Sequence, residues 1–363
     1  MKSFYFYNPT KILFGKELET AFFNELDKYN KILLLTGSNP SRFNIYEKLK
    51  KISFYEINQV KQNTLLSQAK EIINIAKEKK IDFIIAFGGG SVIDMAKLVS
   101  FGVYYKDLWK IILKRHFDIT NAIDIGCIVT NFGSGSEVND SFIVLNENTK
   151  QKVPFYHFKL YPKISYINPE FTYTMTKKQL ANAVTDMYIH ILEQYLTDEF
   201  EILHDRYCEA NLKTIIENAN NFFKKEYYYR SLAMWCSIQA NNKLLSRGFK
   251  CDWGLHEIAH QITAYYNITH ADSLVLIFKD YYFALLNKIE KKLIRYSETI
   301  FDTNIPKEGI IKTLQFFQSL GMKINFEDFN LNKYEVYKVL WNYFHKNKPY
   351  HFNLDLLKRM IND

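Results

Sequence analysis

Asp82-Phe-Ile-Ile-Ala-Phe87 runs without a break into Gly88-Gly89-Gly90-Ser91, and apolar residues then recur at Val92, Ile93, Met95, Ala96 and Leu98. A short run of isoleucine and aromatic residues bounded by glycine predicts a strand buried on both faces. The recurrence after it has helical spacing, and Ser91 stands where an N-cap belongs. Working outward, Lys31-Ile-Leu-Leu-Leu-Thr36 repeats the buried-strand pattern and stops at Gly37-Ser38-Asn39-Pro40. Thr64 to Lys79 carries Leu65, Leu66, Ala69, Ile72, Ile73 and Ala76 at helical spacing, and Ile125 to Val129 reads as a third buried strand. Strands alternating with helices predict a parallel sheet covered by helices on both faces.

The pattern changes near residue 175. Helical periodicity dominates Lys177 to Tyr195, His204 to Phe223, Ser231 to Leu245 and Asp252 to Tyr266, and continues to the C-terminus. The chain therefore reads as an α/β domain over residues 1–175 followed by an all-helical domain over 176–363. A cleft between them is the expected site. Neither an internal repeat nor a low-complexity linker is visible.

At 363 residues, 47% hydrophobic and 24% charged, the composition is that of a soluble globular protein. The net charge of +8 raises the question of nucleic acid. Lys and Arg are interleaved with Asp and Glu along the whole chain, with no basic arm and no nucleic-acid-binding motif, so nucleic acid is not the expected partner. Cys127, Cys208, Cys236 and Cys251 are scattered without a CxxC, which fits a reducing compartment and not a disulfide framework. MKSFYFYNPTK at the N-terminus is too polar for a signal peptide, and the longest apolar runs are strand-sized. The expectation is a soluble, cytoplasmic protein without a membrane partner.

Two turns and two helical stretches carry the chemistry. Three glycines between a strand and a helix let backbone approach a ligand, and the helix start offers free N–H groups to a pyrophosphate. The spacing is not G-x-G-x-x-G, and a tight turn without a ligand is the alternative. A second polar turn, Thr130-Asn-Phe-Gly-Ser-Gly-Ser-Glu137, follows the strand at Ile125 to Val129. Turns at the carboxyl ends of neighbouring parallel strands frame a cofactor crevice.

In the helical half, Asp186-Met-Tyr-Ile-His190 puts a carboxylate and an imidazole on one helix face. Asp252-Trp-Gly-Leu-His256-Glu-Ile-Ala-His260 repeats that spacing, and His270 follows. Imidazoles with one carboxylate suit zinc or ferrous iron, either as a closed structural site or as a catalytic one. His116, His157, His204, His345 and His351 are left unassigned.

These residues together resemble the iron-containing (group III) alcohol dehydrogenases, especially their butanol-dehydrogenase-like, NADPH-dependent aldehyde reductase branch. The resemblance runs from Phe6-Tyr-Asn-Pro-Thr-Lys-Ile-Leu-Phe-Gly15 to at least Asp280. It rests on Gly88-Gly-Gly-Ser-Val-Ile-Asp-Met-Ala-Lys97, Gly133-Ser-Gly-Ser-Glu137, Asn182 to Tyr195 and Asp252 to Ala271. It implies the dehydroquinate synthase-like fold that this family shares, with a Rossmann-like dinucleotide-binding α/β domain over 1–175 and an all-α metal- and substrate-binding domain over 176–363. It further implies Asp186, His190, His256 and His270 as metal ligands, with His260 a catalytic histidine beside the nicotinamide that does not bind metal. Gly89, Gly90, Ser91 and Asp94 would hold the pyrophosphate region, Thr130 and Ser134 the adenine and diphosphate side, and Lys152 the cofactor ribose. Gly37, Ser38 and Asn39 stand where many relatives carry Gly-Gly-Gly-Ser and where NAD-preferring relatives often carry Asp. No Asp is present, and Ser38, Ser41 and Arg42 suit a 2′-phosphate, so NADP is expected over NAD.

The implied activity is hydride transfer between a nicotinamide and a small aldehyde or primary alcohol, with Fe²⁺ or Zn²⁺ as Lewis acid, in a homodimer. The chain is short for the branch around Phe101 to Ile123 and toward the C-terminus, which leaves the substrate open. Two rivals are a zinc- and NAD-dependent lyase resembling dehydroquinate synthase and an inactive nucleotide- or metal-binding relative. The lyase regenerates its cofactor, so net NAD(P)H consumption separates it from a reductase. A helical scaffold whose histidines only pack is separated by metal content.

Overall fold

Leucine- and isoleucine-rich strands with no polar face can only lie in the middle of a covered sheet, and that is where they are found. The computed structural model describes residues 2–115, 117–347 and 354–362. Strands β1 (Lys11–Phe14), β2 (Ile32–Thr36), β3 (Tyr55–Ile57), β4 (Phe83–Gly88), β5 (Asp124–Val129) and β8 (Ile164–Ile167) form a parallel six-stranded sheet in the order β1-β8-β5-β4-β2-β3. Strands β6 (Ser141–Asn146) and β7 (Gln151–Tyr156) form a separate antiparallel hairpin. Every residue of β2 and β4 is buried. Ile32, Leu34, Phe83, Ile85, Phe87, Ile128 and Tyr166 join one core layer, while Leu33, Leu35, Ile84 and Ala86 are buried on the other face. Each such Leu, Ile or Phe side chain contributes about 1.5–3 kcal/mol of burial free energy.

Helices α1 (Glu19–Asn24), α2 (Ile45–Ile52), α3 (Leu66–Lys79), α4 (Gly90–Gly102) and α5 (Leu108–Leu113) connect the strands. After β2 the chain steps to β3 at the sheet edge, then crosses back to β4 on the other side of β2. This reversal puts the carboxyl ends of β2 and β4 at a switch point, where open α/β sheets bind ligands. Thr36 pairs with Phe87 and Gly88 with Val129, so the ends of β2, β4 and β5 are level.

The second half is helical: α6 (Lys177–Tyr195), α7 (Ile202–Phe222), α8 (Tyr227–Asn241), α9 (Gly254–Tyr266), α10 (His270–Phe301), α11 (Pro306–Ser319), α12 (Lys333–Asn347) and α13 (Leu354–Asn362). The contacts group the chain into two units, one of 7–175 with 225–242, the other of 1–6, 176–224 and 243–363. One unit boundary falls at 175/176, and α8 and the first six residues group with the unit on the other side of it. The buried Arg230 of α8 explains part of this, since its Nη1 donates to Thr172 O at 2.8 Å. Among the described residues no helix is long and apolar enough to cross a membrane.

A buried lysine closes the α/β unit. Lys97 of α4 is fully buried, and its Nζ donates to Ser136 O (2.6 Å), Ser136 Oγ (3.0 Å), Asn139 Oδ1 (2.8 Å) and Ser141 O (2.7 Å). One ammonium thus anchors the turn after β5 and the start of β6 to α4. Lys97→Met removes the donor these buried acceptors share, leaving Asn139 Oδ1 only its bonds from Ser141 N and Oγ. It is expected to lower stability by about 3 kcal/mol, read as a fall in thermal melting temperature; unchanged melting contradicts the anchor.

Candidate metal centre and cofactor turns

In the α/β unit, α4 starts at Gly90 with Gly89 as its N-cap, in extended backbone (φ −95°, ψ −170°) and without a side-chain cap. The expectation that Ser91 caps the helix is therefore corrected: Ser91 lies inside the first turn. There its Oγ accepts from Asn63 N at 3.3 Å and its carbonyl accepts from Thr64 Oγ1 at 3.3 Å. The glycines are required by close approach. A Cβ on Gly89 would lie 2.4 Å from Asn131 Nδ2, and one on Gly90 2.7 Å from Ser134 Oγ. The turns after β4 and β5 therefore touch, with Thr130 N donating to Gly88 O at 3.0 Å.

Lys152, on β7, is buried and donates to Asn63 Oδ1 at 3.0 Å. Asn63 thus brings Lys152 and Ser91 to one place, a link that no spacing in the sequence signalled. Asp94 turns its carboxylate inward, Oδ1 accepting from Ser136 Oγ (2.5 Å) and Oδ2 from Ile143 N (3.0 Å). At the end of β2, Ser38, Asn39, Ser41 and Arg42 are exposed, and nothing lies within 4 Å of where a Cβ on Gly37 would be. Ser41 Oγ donates to Asn39 Oδ1 at 3.2 Å, and the Arg42 guanidinium lies 4.8 Å from the Phe43 ring centroid.

In the helical unit, Thr176 starts α6 with a capping box. Its Oγ1 accepts from Gln179 N (3.2 Å), and Gln179 Oε1 accepts from Thr176 N (2.9 Å). This fixes the helix register, and Asp186 and His190 follow on one face. Helix α9 brings His256 and His260. The left-handed Asn267 (φ 54°) ends α9, and α10 begins at His270. Nε2 of His190, His256 and His270 lies 3.9, 3.7 and 3.8 Å from one atom, Asp186 Oδ1. The His190 and His256 rings stack at 4.6 Å, and the His260 ring stacks on His270 at 4.9 Å.

Sequence reasoning missed Glu193. This buried carboxylate, one turn beyond His190, accepts from His256 N (3.1 Å) and pairs through Oε2 with His256 Nδ1. In the neutral ring, an Nδ1–H held by a carboxylate leaves Nε2 as a lone pair. That lone pair faces Asp186 Oδ1, also an acceptor, and both atoms are buried without a hydrogen-bond partner. Positive charge between them, a proton on His256 or a divalent cation, satisfies both. Burial pushes the Asp186 carboxyl up, but the His190, His256 and His270 imidazoles outweigh it and hold it below the usual carboxylate range. Burial likewise opposes charge on His256, yet Glu193 and Asp186 push it up to about 9. The cluster is thus electrostatically suited to positive charge.

Asp186, His190 and His256 can hold a metal ion, their donor atoms lying within 4.8 Å of one another. Around tetrahedral zinc, donors at roughly 2.1 Å are spaced by roughly 3.4 Å, so the observed separations are a few tenths of an ångström wider. Oxygen and imidazole donors with no thiolate suit Zn²⁺ or Fe²⁺. The spare histidines lie elsewhere: His157 accepts from Lys159 N at 3.1 Å, His204 is paired with Leu245 O at 2.9 Å, and His345 is exposed. His116 and His351 lie outside the described residues.

Comparison with known proteins agrees with this geometry. Residues 9–169 match the profile of the family described as iron-containing alcohol dehydrogenase, and residues 180–352 match its C-terminal counterpart. The chain is 32% identical to a probable NADH-dependent butanol dehydrogenase of Bacillus subtilis, over 92% of this chain and 91% of that one. It is 28% identical to an NADPH-dependent aldehyde reductase of Escherichia coli, over 92% and 90%. The crystal structure of an NADH-dependent butanol dehydrogenase from Thermotoga maritima superposes with a TM-score of 0.93 at 26% identity, covering 100% of this chain and 98% of that one.

Glu193→Gln places an amide N–H₂ against His256 Nδ1, favouring the tautomer whose Nε2 carries the proton. Divalent-metal affinity is expected to fall by about 10–100-fold, measured as metal retained against a chelator. Retention equal to wild type contradicts the orienting role.

Proposed function

The chain belongs to the iron-containing alcohol dehydrogenase family, whose oxidoreductases use a nicotinamide and a divalent metal, and on that premise we propose that it interconverts a small aldehyde and its primary alcohol, with NADP as hydride carrier. The observation that carries this reading is the convergence of three imidazole nitrogens on the buried Asp186 Oδ1. Asp186, His190, His256 and His270 are the proposed ligands of one Fe²⁺ or Zn²⁺. When bound, such a metal supplies Lewis acidity to a carbonyl oxygen, and reduced nicotinamide supplies the hydride.

The chain's own residues do the rest. Asp186 and the imidazoles fix the metal position, and Glu193 keeps His256 Nε2 available for it. His260, stacked on His270, is the proposed proton source for the alkoxide oxygen of the product. In the α/β unit, Gly89, Gly90 and Ser91 offer the start of α4 to the pyrophosphate. Asp94 acts behind them by bracing Ser136. Thr130 and Ser134 line the neighbouring turn, and Lys152 and Asn63 stand ready for ribose hydroxyls.

NADP preference rests on the end of β2, at Gly37, Ser38 and Asn39. No carboxylate stands in that stretch to repel a 2′-phosphate, and Ser38, Ser41 and Arg42 are exposed there. The relatives divide on this point, since the names of the Bacillus and Escherichia proteins specify NADH and NADPH respectively.

An absorbance assay with butanal is expected to show net NADPH consumption, lost on metal removal and restored by Fe²⁺ or Zn²⁺. A preference for NADPH over NADH of at least about tenfold in kcat/KM, roughly 1.4 kcal/mol, is expected and should shrink in Arg42→Ala. Equal rates in metal-stripped and metal-loaded protein would refute the Lewis-acid role. For His260→Ala, kcat is expected to fall and the pH–rate profile to lose one limb; a profile like that of wild type removes His260 from proton transfer.

A further inference from the structure

His270 differs from the other members of the cluster. Its side chain is 23% exposed, against 6% for His256 and 9% for His190. It is also the first residue of α10, whereas Asp186 and His190 sit well inside α6 and His256 is the third residue of α9. Helix ends fray, so the position of His270 depends on what holds the start of α10.

The holding contacts come from α6. Lys178, Asn182, Asp186 and His190 recur at four-residue intervals and so lie along one face of that helix. Lys178 Nζ donates to Asp272 Oδ1 at 2.5 Å, and Asn182 Nδ2 donates to Thr269 Oγ1 at 3.3 Å. Thr269 and Asp272 are themselves joined, Thr269 Oγ1 donating to Asp272 Oδ2 (2.6 Å) and accepting from Asp272 N (3.3 Å). Asp272 is buried, and these contacts engage both of its carboxylate oxygens. The same helix that carries Asp186 therefore grips the residue before His270 and the second residue after it.

We propose that Lys178 and Asn182 are positioning residues for the metal centre. Acting through Asp272 and Thr269, they set where His270 Nε2 stands relative to Asp186 Oδ1, and so how tightly a divalent ion is retained. This rests on the reading of the cluster as a metal site. The physical reason is preorganisation: a donor that must be ordered on binding gives up part of the binding free energy. The internal cap between Thr269 and Asp272 does not involve α6, so loss of Lys178 or of Asn182 removes one tethering contact without removing the start of α10. A methionine at 178 also has an apolar neighbour, since Lys178 Nζ lies 3.8 Å from Met322 Sδ.

The test is competition for Zn²⁺ between a chromophoric chelator and the full chain, as wild type, Lys178→Met, Asn182→Ala and Lys178→Arg. Lys178→Met and Asn182→Ala are each expected to raise the Zn²⁺ Kd by about tenfold. Lys178→Arg, which keeps the ion pair, should stay near wild type, and the metal-free melting temperatures of Lys178→Arg and Asn182→Ala should be unchanged. Asn182→Ala leaves the buried Asp272 paired, so it gives an answer even where Lys178→Met folds poorly. Wild-type affinity in both Lys178→Met and Asn182→Ala overturns the proposal. So does an equal loss in Lys178→Arg that tracks a lower metal-free melting temperature, which would signify packing alone. A wild-type chain without Zn²⁺ affinity instead overturns the metal-centre reading itself, and this inference with it.

Discussion

A carboxylate oxygen taken out of water needs a donor or a cation, and Asp186 Oδ1 has no donor. An unpaired buried group of this kind costs about 1–3 kcal/mol, more when charged. Around it the chain places imidazole nitrogens, and Glu193 holds one of them in the tautomer that offers a lone pair. In the absence of positive charge this arrangement is unfavourable, and with a divalent cation it is a ligand set. Local features of the helical unit serve that point: the Thr176 capping box registers α6, the left-handed Asn267 turns α9 into α10, and Thr269 starts α10 with His270 beside His260.

The α/β unit is organised by a different constraint, close approach of backbone. The turns after β4 and β5 touch because Gly89 and Gly90 leave room for Asn131 and Ser134. Lys97 and Asp94 secure this from below, with Lys97 binding the loop that follows and Asp94 binding Ser136. The start of α4 at Gly89, Gly90 and Ser91 is half-buried, and a helix start of this kind suits a pyrophosphate.

Much of this was legible in the residues. Uniformly apolar runs identified β2, β4 and β5, and α6 occupies the span its periodicity predicts, Lys177–Tyr195. Short or half-exposed strands escaped: β3 has no buried residue, and β7 interrupts its pattern with Pro154. Ser91 looked like a cap because serine commonly is one, but the crowded turn gives that position to Gly89. Spacing on α6 could have found Glu193, which lies three residues after His190 on the face that carries Asp186. Nothing local could have found Asn63 or the four acceptors of Lys97, because those contacts join segments far apart in sequence. Spacing alone also treated His256 and His260 alike, and the distinction came from family resemblance. In the structure His256 Nε2 stands 3.7 Å from Asp186 Oδ1.

The central claim is that one divalent ion belongs at Asp186. Anomalous diffraction from crystals of the metal-loaded protein, recorded across the iron and zinc edges, tests it most directly. The account predicts a single strong peak within roughly 2.0–2.2 Å of Asp186 Oδ1 and the Nε2 atoms of His190, His256 and His270. No peak there, or a peak held by other residues, would contradict it.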